Sequence, residues 1–540
     1  MKILPTLLLL LPMSLACGKS TKDPQDAQYQ DALQPDVEMH DDLGKGEFAV
    51  CVPGTFKSCS DDNLGQVICN ADGTGFEVAL CGEDSICLSD DVGCTACKPG
   101  AKKCKDDDVV LRCDETGAEY VEAQNCNGAQ TGQVCILGSC VKLCEINKKL
   151  HSYIGCEYWG ADLDNAFVPG GRSGFYNATD AQYSIVVSNT SQKYPAKVQI
   201  FKWDMGEDKE KEVVMDSMGE QLPTDPIPPM GLRIFNLPKR NVDSTVQAPL
   251  AYKVVSSIPI TAYQFNPLEN EKVFSNDASI LLPSHVLGKQ YIVMTREQTF
   301  QELKGYLTVI ATYPGETQVS LTVTAPTLSD NGIEHMEPGD SMVRILKQYD
   351  VLNIETNAYG ADLSGSVVLA NHPVAVFGGS EASNAPNTNH CCPDGDCGYY
   401  IYELPWLTCK DPDVECLCEW PYQNLTPPQE VPCKGNDDCM KYNTCCADHL
   451  EMQMFPIETW GTEYIATHSY PRGKEEDVWR IMAAENGTKL TTFPIQINPP
   501  VLNRGEYVDF ESKNNFEIHA TKPVLVGQFL AAQDAPDPNV

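Results

Sequence analysis

The chain has 540 residues, 25 of them cysteine, and a formal net charge of −36. That length predicts several domains, and a hydrophobic content of 42% supplies cores for them. So negative a surface repels phosphate backbones and excludes nucleic acid as a partner, while the cysteine count excludes a reducing cytosol.

Residues 1–16 read as an export signal. Lys2 gives a minimal basic start, and Ile3 to Leu15 is an apolar run, broken by Pro5 and Pro12, too short to span a bilayer. It ends in Ser14-Leu15-Ala16-Cys17-Gly18, which resembles a bacterial lipoprotein signal. In such signals a small residue precedes a cysteine whose thiol takes a diacylglyceryl group. Ser14 departs from the leucine usual at that place, and ordinary cleavage after Ala16 is the alternative. Setting Cys17 aside leaves 25 − 1 = 24 cysteines, an even number suited to pairing. Several acyl chains, palmitate among them, would make the membrane a lasting partner. Gly18, rather than aspartate, points to the outer membrane, and the cell surface is the expected location.

Residues 17–48 comprise the lipidated cysteine and an acidic, polar tether with too little apolar surface to fold. Residues 49–144 hold two disulfide-rich repeats. The first (51–94) carries Cys51, Cys59, Cys69, Cys81, Cys87 and Cys94. The second (97–140) carries Cys97, Cys104, Cys113, Cys126, Cys135 and Cys140. Both open on Cys-x-Pro-Gly, and each has a Gly-containing turn before an aromatic, the mark of a repeated β-hairpin. Six cysteines allow fifteen pairings, so connectivity stays open. Cys144 and Cys156 are left to pair with each other across the end of this region.

Beyond residue 145 the sequence becomes short alternating segments such as LTVIATYPGETQVSLTV, DVLNIETN and SGSVVLANHPVAVFGG, which predict half-buried strands and an all-β fold. Two patterns recur three times. One is apolar-Gly-x-(Glu/Gln)-Tyr, at Ile154 to Tyr158, Leu287 to Tyr291 and Trp460 to Tyr464, the last two preceded by Leu282-Pro283 and Phe455-Pro456. The other is a proline followed by an apolar strand, at Ser257 to Ile260, Asn371 to Val374 and Thr521 to Val524. Between them IVVSNTSQKYPAKVQI, VIATYPGETQV and IMAAENGTKL read as hairpins. The expected architecture is therefore three tandem β-sandwich-like units, 145–275, 276–385 and 448–540, with propeller-like closure as the alternative. A cysteine-rich insertion occupies 386–447 and holds Cys391, Cys392, Cys397, Cys409, Cys416, Cys418, Cys433, Cys439, Cys445 and Cys446.

These motifs, with Leu363-Ser-Gly-Ser, His372-Pro-Val-Ala-Val-Phe-Gly-Gly, Phe455-Pro-x-x-x-Trp-Gly-Thr-Glu-Tyr and Lys522-Pro-Val-Leu-Val in that order, resemble the N-terminal domain of the IgGFc-binding protein family across about 150–540. The resemblance implies a secreted binding or adhesive module with no catalytic centre, and it transfers no ligand.

The chemistry-bearing candidates weigh toward structure. His390 and His449 beside two Cys-Cys pairs suggest a metal site, but ten cysteines in an oxidising compartment read as five disulfides, because zinc sites show separated pairs. No catalytic or metal residue is assigned. The acidic turns Asp61-Asp62, Asp106 to Asp108, Asp411/Asp413 and Asp437-Asp438 lack the spacing of a calcium loop, so calcium is left as the one open cofactor. Asn70 to Gly73 and Asp114 to Gly117 read as hairpin turns. Gly378-Gly379-Ser380-Glu381-Ala382 misses the nucleophile-elbow pattern, and Ser380 reads as a turn residue. His285, His372 and His519 read as ordinary strand-flanking histidines. The expected function is a surface binding or adhesion module for an unknown glycan or protein. A structural envelope component that self-associates is the alternative, and an extracellular hydrolase the remotest.

Overall fold

The computed structural model describes residues 50–168, 176–273, 275–298, 303–358, 360–385, 397–398, 408–409, 447–473 and 475–531. Cys17 and the side chains of the ten insertion cysteines lie outside the described residues. The chain divides into two bodies, 1–94 and 95–540.

In the first body, Phe56–Cys59, Gly65–Cys69 and Phe76–Leu80 form an antiparallel three-stranded sheet. So small a sheet buries little, and three disulfides staple it: Cys51–Cys69, Cys59–Cys87 and Cys81–Cys94. The second body opens with the same design. Lys102–Cys104, Val109–Cys113 and Tyr120–Asn125 pair in order, with Cys97–Cys113, Cys104–Cys135 and Cys126–Cys140 closed. Numbering the cysteines within each repeat, both join first to third, second to fifth and fourth to sixth. The turns after Asn70 and Asp114 are hairpin turns, with Gly73 and Gly117 at positive φ. Cys144–Cys156 then ties the second repeat to the first strand of the β region.

The β region is a stack of antiparallel sheets. Tyr252–Asn266 runs through a seven-stranded sheet between Val198–Asp204 and Ser184–Asn189, with Lys209–Glu212 and Leu232–Asn236 beyond them; Gly155–Gly160 and Asp277–Ile280 also pair with it. The next layer is Val246–Ala248, Val351–Glu355, Gly305–Ala311, Val374–Ser383 and Asp448–Gln453. A third contains Gln290–Ile292, Val367–Ala370, Glu316–Thr322 and Ser341–Lys347. A fourth gathers Gly461–Ala466, Asp477–Ala483, Thr488–Phe493, Val501–Leu502 and Tyr507–Ser512 about Phe516–Phe529.

The second layer is covered on both faces. Tyr306, Ile310, Val351, Ala375 and Phe377 join the core of the first sheet, while Leu307, Val309, Leu352, Ile354, Val374 and Val376 join that of the third. Gly305–Ala311, Val351–Glu355 and Val374–Ser383 are buried at every position, so the expectation of half-buried strands fails for them. Their near-continuous apolar runs follow from that double coverage. Layered packing of this kind is that of a sandwich.

The three expected hairpins are not hairpins. In each, the chain reverses, but its two strands pair with different stretches of one later, proline-interrupted strand. Ser184–Asn189 lies against 260–265 and Val198–Asp204 against 252–256, on either side of Pro259. Gly305–Ala311 pairs with 374–380 and Glu316–Thr322 with 367–370, on either side of Pro373. Asp477–Ala483 pairs with 524–529 and Thr488–Phe493 with 517–520, on either side of Pro523. Proline has no N–H to give the ladder, so pairing changes partner where it stands.

The two recurring patterns meet at that corner. The tyrosine hydroxyl of the first pattern donates to the carbonyl just after the proline of the second: Tyr158 to Ile260, Tyr291 to Val374 at 2.7 Å, and Tyr464 to Val524 at 2.7 Å. The hydroxyl in turn accepts the glycine N–H, Gly288 to Tyr291 and Gly461 to Tyr464 at 2.8 Å each. Residues far apart in sequence thus build one device three times.

Candidate functional site

A cleft of about 420 Å³ opens where the second layer meets the fourth. One wall is the Met294-Thr295-Arg296 segment, which leaves the third layer after Gln290–Ile292; the others come from Asp448–Gln453 and the end of Phe516–Phe529. Gly378 and Gly379 make the floor. A Cβ on Gly378 would stand 2.4 Å from the Met294 carbonyl oxygen, and one on Gly379 2.4 Å from the Leu450 carbonyl oxygen. Only glycine admits backbone so near.

The lining is mostly apolar, with two buried donors and, on one side, the carboxyl-bearing Asp277, Asp448 and Glu451. Met294, Met452, Met454, Phe455 and Phe529 supply soft surface that can adapt to a guest. Arg296 is 1% exposed; its Nε donates to the Asn384 carbonyl at 3.1 Å and its guanidinium lies over Phe529, but Nη1 has no acceptor among the described residues. Gln453 accepts the Leu282 N–H at 2.6 Å while its own Nε2 has no acceptor among the described residues. Unmet donors in a desolvated wall favour a guest that brings an acceptor. Beside Arg296, burial pushes the Glu297 carboxyl up to about 7, although the guanidinium opposes this.

The acidic side of the cleft continues into the sheets. Glu451 accepts from Gln264 Nε2 at 3.0 Å and Asn266 Nδ2 at 3.3 Å, and its N–H donates to Asp277 at 2.9 Å. Burial pushes Asp277 up to about 6 and Asp162 up to about 7. Oxygens of Asp164, Asp243 and Glu355 lie within 4.8 Å of one another, the one group among the described residues whose geometry could share a cation. Burial, then the neighbouring Glu381 and Glu355 carboxylates, raises Asp164, and Glu381 itself is pushed up to about 8, chiefly by burial.

Few residues singled out from sequence come together here. Ser380 is no turn residue: it lies fully buried within Val374–Ser383, its hydroxyl donating to the Lys304 carbonyl at 3.4 Å. A serine reads as a turn signal only where the strand ends, and this strand runs on through Ser383. Asp62 and Asp106 accept from the N–H groups of Leu64 and of Asp108 and Val109, so these acidic turns use carboxylates as local caps. His449 sits in Asp448–Gln453, fully buried, 3.6 Å from Glu451, with neither ring nitrogen hydrogen-bonded among the described residues. His285 meets the Leu150 carbonyl at 3.0 Å, His372 stacks on Tyr313, and His519 meets Glu517 at 3.1 Å. His390, Asp411, Asp413, Asp437 and Asp438 lie outside the described residues. Sequence reasoning missed Arg296 and the Asp164 cluster; the sole trace was an arginine in an apolar stretch (IVMTRE).

Layered antiparallel sheets and disulfide-stapled repeats define an all-β, disulfide-rich class of protein. A family model described as IgGFc binding protein matches residues 277–400 and 431–539, so this part of the chain is similar to that family. No curated protein and no solved structure matches. The matched segments begin with the second β unit; the first, with the same corner, lies ahead of them.

Proposed function

We propose that the protein is an exported lipoprotein, acylated at Cys17, that holds a binding or adhesion module off the outer membrane at the cell surface. The guest is an extracellular protein or glycan. One observation carries the binding reading: every residue lining the cleft falls within the segments matched by the IgGFc-binding model. The family name brings immunoglobulin Fc into the set to be tried, and the buried donors favour a guest with an exposed acceptor.

The test is binding of the intact ectodomain, oxidatively folded, to an array of glycans, mucins, matrix proteins and Fc, with calcium and with chelator. Phe455→Asp and Met452→Asp alter half-exposed lining positions. A saturable hit lost in both variants, with unchanged thermal unfolding, supports the cleft. A hit indifferent to both moves the site elsewhere, and a blank array refutes recognition of these classes. Cys17→Ser should release the protein from the membrane fraction, and retention would refute the anchor.

A further inference from the structure

The first β unit holds a cavity of its own, of about 320 Å³, whose lining lies wholly between Lys197 and Phe235, a stretch described without a break. It forms where the chain leaves the edge of Val198–Asp204 after pairing as Lys209–Glu212. Val213 still gives its N–H to the Ile200 carbonyl at 2.8 Å, but the chain then folds on itself, Leu222 donating to the Val214 carbonyl at 3.0 Å. Asp216 fixes that fold by accepting the N–H groups of Met218 and Glu220, at 2.8 Å each. The chain rejoins the edge at Ile227, which exchanges two bonds with Ala196 at 2.7 and 2.9 Å.

One rung is therefore missing. Successive residues of a strand turn their N–H and C=O groups to opposite edges. The Lys197 carbonyl accepts the Ser257 N–H at 2.9 Å, toward Tyr252–Asn266, whereas Ala196 and Ile200 bond on the other side. Val198 shares that other side, so its N–H and C=O face the cavity, and among the described residues they meet no partner. Around them Ile200, Val213, Leu222 and Phe235, all members of the first core, give apolar walls, while Gln221 and Thr224 are exposed.

We infer that this cavity is a second binding site, separate from the cleft, for a sugar ring that presents two neighbouring hydroxyls. The unpaired donor and acceptor of one extended residue lie side by side and point the same way. A vicinal diol answers both: one hydroxyl donates to the Val198 carbonyl, and the oxygen of the other accepts the Val198 N–H. The C–H faces of the ring suit the apolar walls, and its remaining hydroxyls suit the Gln221 amide and the Thr224 hydroxyl. The volume is at the small end of the range for ligand sites, about 300–1,000 Å³, which fits one ring. An added peptide strand fits less well, because Val213 and Ile227 close the open edge at both ends.

The probes are the methyl glycosides of glucose, galactose and mannose, titrated against the oxidatively folded full chain by saturation-transfer NMR. At least one should saturate with a Kd on the order of 1 mM. Its monodeoxy analogues should include two that bind at least about tenfold more weakly, one for each hydroxyl of the pair. Thr224→Trp blocks the mouth from an exposed position and should weaken binding as much, with an unchanged thermal transition. Val198→Pro removes the N–H on the open edge alone and should do the same. Three results would each overturn the inference: no saturation by any of the three up to about 50 mM, monodeoxy analogues that all bind as well as the parent, or binding indifferent to Thr224→Trp.

Discussion

Arg480 should be among the costliest side chains to remove, because it carries a charge 3% exposed between two layers. Its Nε and Nη2 donate to Asp509 at 2.8 and 2.6 Å. Its Nη1 donates to Asp362, Ser364 and the Thr295 carbonyl at 2.6, 2.7 and 2.9 Å. The face of the guanidinium lies 4.0 Å from the Tyr507 ring centroid. Arg480→Met would leave Asp362, 11% exposed, without its countercharge. Breaking a buried pair from one side costs about 3–5 kcal/mol. Asp509 is 37% exposed and can turn to water, so Asp509→Asn should cost under about 1 kcal/mol. The double variant Arg480→Met/Asp362→Asn removes both charges and should recover about 2 kcal/mol of the single loss. The assay is hydrogen exchange in urea on peptides spanning Asp477–Ala483 and Tyr507–Ser512, which reports this joint rather than the whole chain. A single-variant cost under about 1 kcal/mol, or a double variant no better than the sum of its parts, would refute the reasoning. The same pair sets an acid limit. Burial alone would raise the Asp362 carboxyl, but Arg480 and Ser364 outweigh it and hold it down to about 2, below its ordinary 3.8. A depressed carboxyl contributes stability that is complete above its unfolded value and is lost as pH falls toward the folded one. About 2 kcal/mol should therefore disappear between roughly pH 4 and pH 2, and Asp362→Asn should remove that slope.

Replacing Cys144 and Cys156 by serine opens a short loop, and chain entropy puts the cost near 3 kcal/mol; calorimetry should show a lowered transition, and an unchanged one would mean the joint is held by packing alone. Tyr291→Phe orphans a buried glycine N–H and a carbonyl, at about 2 kcal/mol, whereas Tyr464→Phe, half-buried, should cost about half that or less; a reversed order in urea titrations would contradict the corner's energetics. Gly288→Ala forces a methyl against Pro456 and should cost about 1–3 kcal/mol. At Gly461 a methyl would stand 3.3 Å from the Tyr464 hydroxyl, a contact a small shift relieves, so Gly461→Ala should cost less than Gly288→Ala; equal losses at both sites would show that the glycines serve backbone conformation instead.

Much of the fold could be read from the residues. Alternation and turn chemistry marked the strands, the duplicated cysteine spacing marked two like repeats, and both recurring patterns proved to be parts of one corner. What the sequence left hidden was partnership. Asn-Gly and Tyr-Pro-Gly say that the chain reverses, not that the strands either side of the turn will bond, and the proline that separates their partners comes some forty to sixty residues later. The nearly continuous apolar runs LTVIA and VAVFGG were a legible sign of a layer covered twice, but single-strand periodicity does not distinguish it from a strand with one wet face. Arg296 and the Asp164, Asp243 and Glu355 group were out of reach, because their meaning lies in convergence across layers rather than in spacing along the chain.

The insertion springs from neighbouring strands. Val374–Ser383 before it and Asp448–Gln453 after it are adjacent, and their last rung joins Ser383 to Asp448. The cost of closing a loop grows only with the logarithm of its length, so the sheet beneath is nearly indifferent to how much chain is looped out there. Over evolutionary time such a place can gain, lose or exchange a whole cysteine-rich segment while the layers stay intact. It is also the natural point for an engineer to graft a reporter or a foreign epitope.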